Sequence, residues 1–312
     1  MAKKTPSILK EIQNHTLREV NYSYQKSISF SQLQIYASCP HKWDLTYRQK
    51  LAPYQDSIHT IFGTSIHEVM QDYIKVMYDV SGTAADKINL EEVFQDKFTS
   101  LYKEAYNRNN KVHFSSPEEM REFFDDGIAI LDYLKKNRGS YFSKRGWHLV
   151  GIEVPLVIVP NSAYKNIIYK GYLDLVLYNE TTNTFVIYDI KTSTWGWGDK
   201  EKKDEMKTFQ LVFYKNFYSK QFNVPEENIE VEFLIVKRKL YESEFAIKRF
   251  QTYTPASGKI KTKKALTLLN EFIEDCFDKD GEIKVKEYTK NPSKTSCGYC
   301  PFKDDKKLCN RD

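Results

Sequence analysis

The order of hydrophobic patterns along the chain predicts a mixed α/β fold. Three observations carry it: an apolar stripe at helical spacing early in the chain, three β-branched and aromatic runs in its middle, and a helix, strand and helix after them. With 312 residues, 41% hydrophobic and 29% charged, the composition is that of an ordinary globular protein able to bury one substantial core. The expected organisation is a polar N-terminal segment, 1–27, followed by a single domain over 28–312.

Residues 1–27 lack steady periodicity, which predicts a mobile start. The segment SFSQLQIYASCPHKW, 29–43, opens on Ser and spaces Leu33, Tyr36 and Ala37 helically, so a short helix should end near Cys39-Pro40. After Gly63-Thr64, the residues Ile66, Val69, Met70, Tyr73, Ile74 and Met77 recur at steps of three and four, the apolar face of an amphipathic helix. The pattern stays helical over about 86–140, in LEEVFQDKFTSLYKEAY and PEEMREFFDDGIAILDYLKK, which reads as a helical insertion or cap. LVGIEVPLVIV, IIYKGYLDLVLY and TFVIYDIKT then predict three strands bounded by Pro, Asn and Thr. A helix at 205–221, a strand at 231–238 and a helix in TKKALTLLNEFIEDCF complete the order.

Lys and Arg (47) barely exceed Asp and Glu (42), so the formal charge of +5 leans toward an anionic partner without establishing one. No run approaches the roughly 20 apolar residues of a membrane span, and the N-terminus lacks the apolar core of a signal peptide. No membrane partner and a cytoplasmic location are therefore expected. In a reducing compartment, five cysteines are more naturally metal ligands or buried small side chains than disulfides.

The chemistry concentrates in GYLD, 171–174, and YDIKT, 188–192. A hairpin turning through NETTN, with opposed residue numbers summing to 363, sets Asp174 opposite Asp189. Directly opposed side chains on a sheet have Cβ atoms about 4.5–5.5 Å apart, close enough for two carboxylates to clasp one cation. Lys191, two residues beyond Asp189, points to the same face. Carboxylates this close raise one another's pKa unless a cation separates them, which suits Mg²⁺ or Mn²⁺. The alternative is a solvated surface pair with a salt-bridged lysine. The apolar flanks Leu175, Val176, Ile187 and Ile190 weigh against it, because unpaired charge there is costly.

With FQLVFY, 209–214, these motifs resemble the RecB/AddB-like branch of the PD-(D/E)XK nucleases, including the CRISPR-associated RecB-like exonucleases with an iron-sulfur cluster. The resemblance runs from Cys39 to Cys309 and is weakest over the helical insertion. It implies a restriction-endonuclease-like core, a mixed central sheet flanked by helices, and metal-dependent hydrolysis of DNA phosphodiesters. It assigns metal contacts to His67, Asp174, Asp189 and Ile190, and catalytic roles to Asp174, Asp189, Lys191, Gln210 and Tyr214. The last two, four residues apart, share a helical face. Glu153, on the first predicted strand, is a further acidic candidate.

The resemblance also groups Cys39 with Cys297, Cys300 and Cys309 as ligands of a 4Fe-4S cluster that staples the C-terminal segment, about 290–312, to the start of the domain. Four thiolates suit structural Zn²⁺ equally well. Cys276, in an amphipathic pattern, is expected to be a buried small residue. Basic runs at VKRK, 236–239, and GKIKTKK, 258–264, are candidates for phosphate contacts or plain solvated faces. Trp195 and Trp197 are candidates for stacking on unpaired bases or for covering the core. The partner implied is DNA, single-stranded or with free ends, in recombination, repair or phage DNA metabolism. No GxxxxGK[ST] motif is present, so any unwinding needs a helicase partner. The competing expectation is a catalytically weak DNA-binding or scaffold subunit working beside that helicase.

Overall fold

The three apolar runs in the middle of the chain form the backbone of one six-stranded sheet, in order β1-β3-β4-β5-β6 with β2 paired to β3. The structure is a computed structural model and describes residues 5–53, 56–142, 145–241 and 248–309. Helix α1 (Ser7–Gln13), strand β1 (Lys26–Ile28), helices α2 (Phe30–Ser38) and α3 (Pro40–Trp43), and a π-helical turn (Asp44–Arg48) come first. The helices α4 (Ile58–Asp79), α5 (Gly82–Asp86), α6 (Leu90–Arg108) and α7 (Pro117–Asn137) follow. Strands β2 (Trp147–Ile158), β3 (Ile167–Asn179) and β4 (Thr184–Ser193) lead to α8 (Asp199–Lys203) and α9 (Glu205–Phe222). The chain then forms β5 (Ile229–Lys237), β6 (Phe250–Tyr253), α10 (Lys259–Cys276) and α11 (Lys294–Gly298). This is the mixed α/β sheet flanked by helices that the patterns predict.

β2, β3 and β4 are consecutive and antiparallel, whereas β4 and β5 run parallel, joined across one face by α9. Parallel neighbours need such a crossover, and both strands are apolar on both sides as a covered sheet requires. One layer, with α2, α9 and α10, buries Trp43, Tyr169, Phe213, Phe217, Phe233 and Phe272 against the sheet. The other, with α4, α6 and α7, buries Phe62, Phe94, Phe98, Phe123 and Leu134 together with Leu175, Leu177, Val186, Tyr188 and Ile190. The helices expected as an insertion thus complete one of the two apolar layers, with Phe62 edge-on to Phe123 at 5.3 Å.

Three local readings need correction. The start of the chain is held along much of its length: Leu9 and Ile12 are buried, and β1 pairs with β3 through Lys26↔Ile167 to Ile28↔Tyr169. A seven-residue helix and a three-residue strand are too short to show a period, and both depend on tertiary contacts. The four-residue edge strand β6 escaped reading for the same reason. Finally, α4 begins at Ile58 under an N-cap from Ser57, whose hydroxyl accepts from Thr60 N at 3.2 Å, so Gly63 lies inside it. A Cβ on Gly63 would meet Thr192 Oγ1 at 3.1 Å. That glycine lets helix and strand approach beside the site and is no helix boundary. Residues 1–4 of the expected N-terminal segment and 310–312 of the expected cysteine segment lie outside the described residues.

Candidate active site

β3 has two edges, and their occupancy places the site. β2 runs along one edge from Tyr169 to Asn179. The other is shared: β1 takes Ile167–Tyr169 and β4 takes Leu175–Asn179. Between them, residues 170–174 have no strand partner on that edge among the described residues, and the β3–β4 ladder ends at Leu175↔Tyr188. The pairing follows the expected sum of 363 throughout, but it stops one step before Asp174 and Asp189. Asp174 bonds across the mouth of this gap through its side chain instead, Oδ2 accepting from Ile190 N at 2.6 Å.

The same position interrupts the alternation of side chains. Leu173 and Leu175 would share a face in a regular strand, yet Leu173 packs in the α9 layer and Leu175 in the α4 layer. On β2 the paired residues do likewise, Val154 in the α9 layer and Ile152 toward α4. Between them Glu153 adopts φ 50°, a left-handed conformation rare for a non-glycine residue. Two paired strands therefore change faces where their carboxylates lie.

Side chains from both layers converge on the gap. From α4, His67 Nδ1 lies 3.8 Å from Asp174 Oδ2. Burial pushes the His67 pKa below its ordinary value, while the Asp189 carboxylate works to raise it and the Lys191 ammonium to lower it. One turn further on, Gln71 Nε2 donates to Glu153 Oε1 at 2.7 Å and to the carbonyl of Asp174 at 3.0 Å. On β4, Asp189 is buried, and its Oδ2 lies 2.8 Å from Lys191 Nζ while receiving no aligned hydrogen bond. From α9, Gln210 Nε2 donates to Tyr214 Oη at 2.9 Å. A Cβ on Gly171 would meet the rings of Tyr169 and Tyr214 at 3.4 Å, so the glycine of GYLD keeps room for both.

The electrostatics follow from this crowding. Burial, and next the charge of Asp189, push Asp174 well above the usual carboxylate range. Burial works against the Lys191 ammonium, but the Asp189 carboxylate outweighs it and raises its pKa. Burial and the Asp189 charge likewise keep the Tyr214 and Tyr169 hydroxyls protonated. In this acidic site Lys191 pairs with Asp189, and burial beside that charge favours the protonated form of Asp174. The site's neutral imidazole, main-chain carbonyl and carboxylate oxygens are a donor set suited to a hard divalent cation.

All the residues expected to act together, namely His67, Glu153, Asp174, Asp189, Ile190, Lys191, Gln210 and Tyr214, meet at this one gap. Sequence reasoning missed Gln71 and Tyr169. Gln71 was within reach, since it follows His67 by four residues on the same helical face. Other expectations fare differently. Arg238 and Lys239 of VKRK pair with Glu122 and Asp126 of α7, and Arg238 lies over the Phe123 ring, so these charges join the helical layer to the sheet. In GKIKTKK, Lys261 and Lys264 both bind Glu205. Trp197 packs 4.7 Å from Phe233, covering the core, whereas Trp195 is exposed.

Cys39, Cys297, Cys300 and Cys309 line one cavity of about 280 Å³ with His41 and Phe302. Burial, then the neighbouring Cys300, raises the Cys309 pKa, and Cys39 and Cys297 add to the effect. Hydrogen bonds join the two segments here: His41 Nε2 lies 2.8 Å from Leu308 O, and Asn291 Nδ2 donates to Ser38 O at 3.0 Å. Cys276 is buried at the end of α10. Among the described residues, no three His, Cys, Asp or Glu side chains are gathered closely enough to hold a metal ion, at the gap or in this cavity. The four cysteines of the expected staple share one cavity, and a cluster joining them is not shown.

A mixed sheet whose central hairpin opens onto two aspartates and a lysine defines a class, the hydrolases that work on phosphate esters with a divalent cation. The family comparison narrows it. The profile of the PD-(D/E)XK nuclease superfamily matches residues 27–305, and the chain belongs to that superfamily. Its members are generally nucleases that use Mg²⁺ or Mn²⁺ and bind DNA. No curated protein is similar enough in sequence to count as a relative. Among the described residues, no helix is long and apolar enough to cross a membrane.

Proposed function

We propose that the chain is a Mg²⁺- or Mn²⁺-dependent deoxyribonuclease of the RecB/AddB-like branch, acting on single-stranded DNA or free ends as an exonuclease or end-processing enzyme. The observation that supports it most directly is the convergence of His67, Asp174, Asp189 and Lys191 on one gap in the sheet. In this reading Asp174, Asp189, the neutral His67 and the Ile190 carbonyl hold the cation. A bound divalent cation lowers the pKa of water and offsets charge gathering on a phosphate. Lys191, kept protonated by Asp189, orients the attacking water or steadies the phosphate oxygens as a fixed point charge. Gln210 fixes the Tyr214 hydroxyl, whose proton stays in place and is available to donate. Gln71 holds Glu153 and the Asp174 main chain, setting the acidic side of the gap.

The cysteine cavity, by the same reading, takes a 4Fe-4S cluster, with structural Zn²⁺ as the competing occupant. The three surrounding lysines Lys42, Lys290 and Lys303 offset the charge that four thiolates bring. Protein purified without oxygen is expected to be brown, and a colourless protein carrying stoichiometric zinc would sink the iron-sulfur assignment. A helicase partner and roles in recombination, repair or phage DNA metabolism belong to the same proposal, as does a cytoplasmic location. The deciding test incubates end-labelled single- and double-stranded DNA with each cation, beside Asp189→Asn and Lys191→Ala variants. Cleavage is expected only with the wild type and a cation. A wild type inert on every DNA form would favour a DNA-binding subunit.

A further inference from the structure

The two tryptophans after Lys191 have opposite surroundings. Trp197 is tied into the sheet through its main chain: the amide N–H donates to Gln251 Oε1 at 2.8 Å, and the carbonyl accepts from Gln251 Nε2 at 2.9 Å. Trp195 is 46% exposed and lies against Tyr241, itself 54% exposed, with ring centroids 4.8 Å apart and planes 22° from parallel. Two large aromatic faces held side by side in water are an unusual use of apolar surface, since burial would be favourable for both.

The turn that carries Trp195 is also fixed in place. The main chain leaving β4 is zipped to the main chain leaving β5, Arg238 N donating to Ser193 O at 2.8 Å and Lys239 N to Thr194 O at 2.7 Å. Ser193 Oγ accepts from Gly196 N at 3.1 Å and bonds Gly196 O at 3.0 Å, closing the turn that carries Trp195. Gly196 sits at φ 94°, and a Cβ there would strike Gln251 Oε1 at 2.9 Å, so the turn has one shape. A rigid aromatic surface has already lost the freedom that binding would otherwise remove. Beside it is a cavity of about 390 Å³ lined by Trp195, Trp197, Lys237, Lys248, Gln251 and Thr252. Trp195 follows Lys191 by four residues, which limits their separation to about 14 Å.

We infer that Trp195 and Tyr241 form a stacking platform for an unpaired base of the DNA strand that passes the gap. The inference rests on the nuclease reading above and adds to it a place where single-stranded DNA is told from duplex. Aromatic rings stack on any base, so the platform recognises the unpaired state and not a sequence. A duplex keeps its bases stacked on one another and offers none to the indole.

The test measures fluorescence anisotropy of a short fluorescein-labelled oligothymidine, and of a duplex of the same length, without added divalent cation so that nothing is cut. Trp195→Ala should weaken single-strand binding about tenfold, the factor that about 1.4 kcal/mol of stacking produces. Duplex binding should change much less. Trp195→Phe should recover most of the loss, while Tyr241→Ala should lose a similar factor. An oligothymidine with an abasic nucleotide at the contacted position should bind the wild type as poorly as Trp195→Ala binds the intact strand, with no further loss when both changes are combined. Equal binding by wild type and Trp195→Ala, or equal weakening on both DNA forms, overturns the platform. A protein that cuts DNA yet binds strands without the indole retains the nuclease reading and loses the platform. One that binds through the indole and cuts nothing does the reverse.

Discussion

The gap beside β3 and the cavity between the chain ends are both expected metal sites, and they are built differently. At the gap, every residue sits on a strand or a long helix of the packed core, and hydrogen bonds such as that from Ile190 N to Asp174 hold the carboxylates in place. In the cavity, the thiols hang from the junction of α2 and α3, the five-residue helix α11 and turns after it, where His41 and Asn291 bond main-chain carbonyls of the opposite segment. The difference teaches that side chains on packed strands and long helices take their positions from the core itself, whereas those on short helices and turns are positioned by a few local hydrogen bonds such as that of His41 to Leu308 O.

The strongest way to break this comparison is to remove the charge at the gap. Asp189→Asn keeps the shape and is expected to lower cleavage by at least 10²–10³-fold, on the order seen when one stabilising group is lost from an active site. The protein should stay folded by circular dichroism. Undiminished cleavage would mean that the gap is not the centre. In the cavity, Cys300→Ser should instead lower stability, abolishing colour or zinc content and dropping the Tm by about 5 °C or more. About 2–4 °C accompanies each kcal/mol in a domain of 150–250 residues. An unchanged Tm would show that His41 and Asn291 hold the ends together by themselves.

A smaller effect sharpens the account of the gap. Gln71→Leu removes the amide that steadies Glu153 and Asp174, and should raise the Mg²⁺ needed for half-maximal cleavage by about 10–100-fold, the usual range for a group that orients metal ligands. Cleavage at saturating Mg²⁺ should change less, and an unaltered Mg²⁺ titration would remove Gln71 from the site. The smallest effect is at an exposed cluster at the start of α9. Lys261 and Lys264 hold the Glu205 carboxyl at about 2, below its ordinary 4.5. A depressed carboxylate stabilises the fold above pH 4.5 and loses that contribution as the pH falls toward 2. The slight Tm advantage over Glu205→Gln should therefore be present at neutral pH and vanish across that window. An advantage that persists at its acid end would assign it to packing.

Much of this was legible in the chain. The strand runs containing GYLD and YDIKT gave the hairpin and its register, because alternation and turn residues are local signals and a slip of one residue would turn every side chain over. The Gln210 and Tyr214 pair was legible from a step of four. Gly63 misled, because a glycine that ends a helix and one that admits a neighbouring strand look alike until the neighbour is in place. VKRK could not show its own partners, since Arg238 and Lys239 pair with Glu122 and Asp126, more than a hundred residues away in sequence.

By itself, then, the sequence determined the mixed α/β order, the paired register of β3 and β4, and the identities of the charged residues that meet. Only the tertiary structure decided that β1 and β4 share one edge of β3 and leave the gap, and that Glu153 turns left-handed there. It also decided that one tryptophan seals the core while the other faces solvent. Periodicity records which side of its own element a residue occupies. Where two elements stop pairing, and what enters between them, depends on contacts between segments that are distant along the chain.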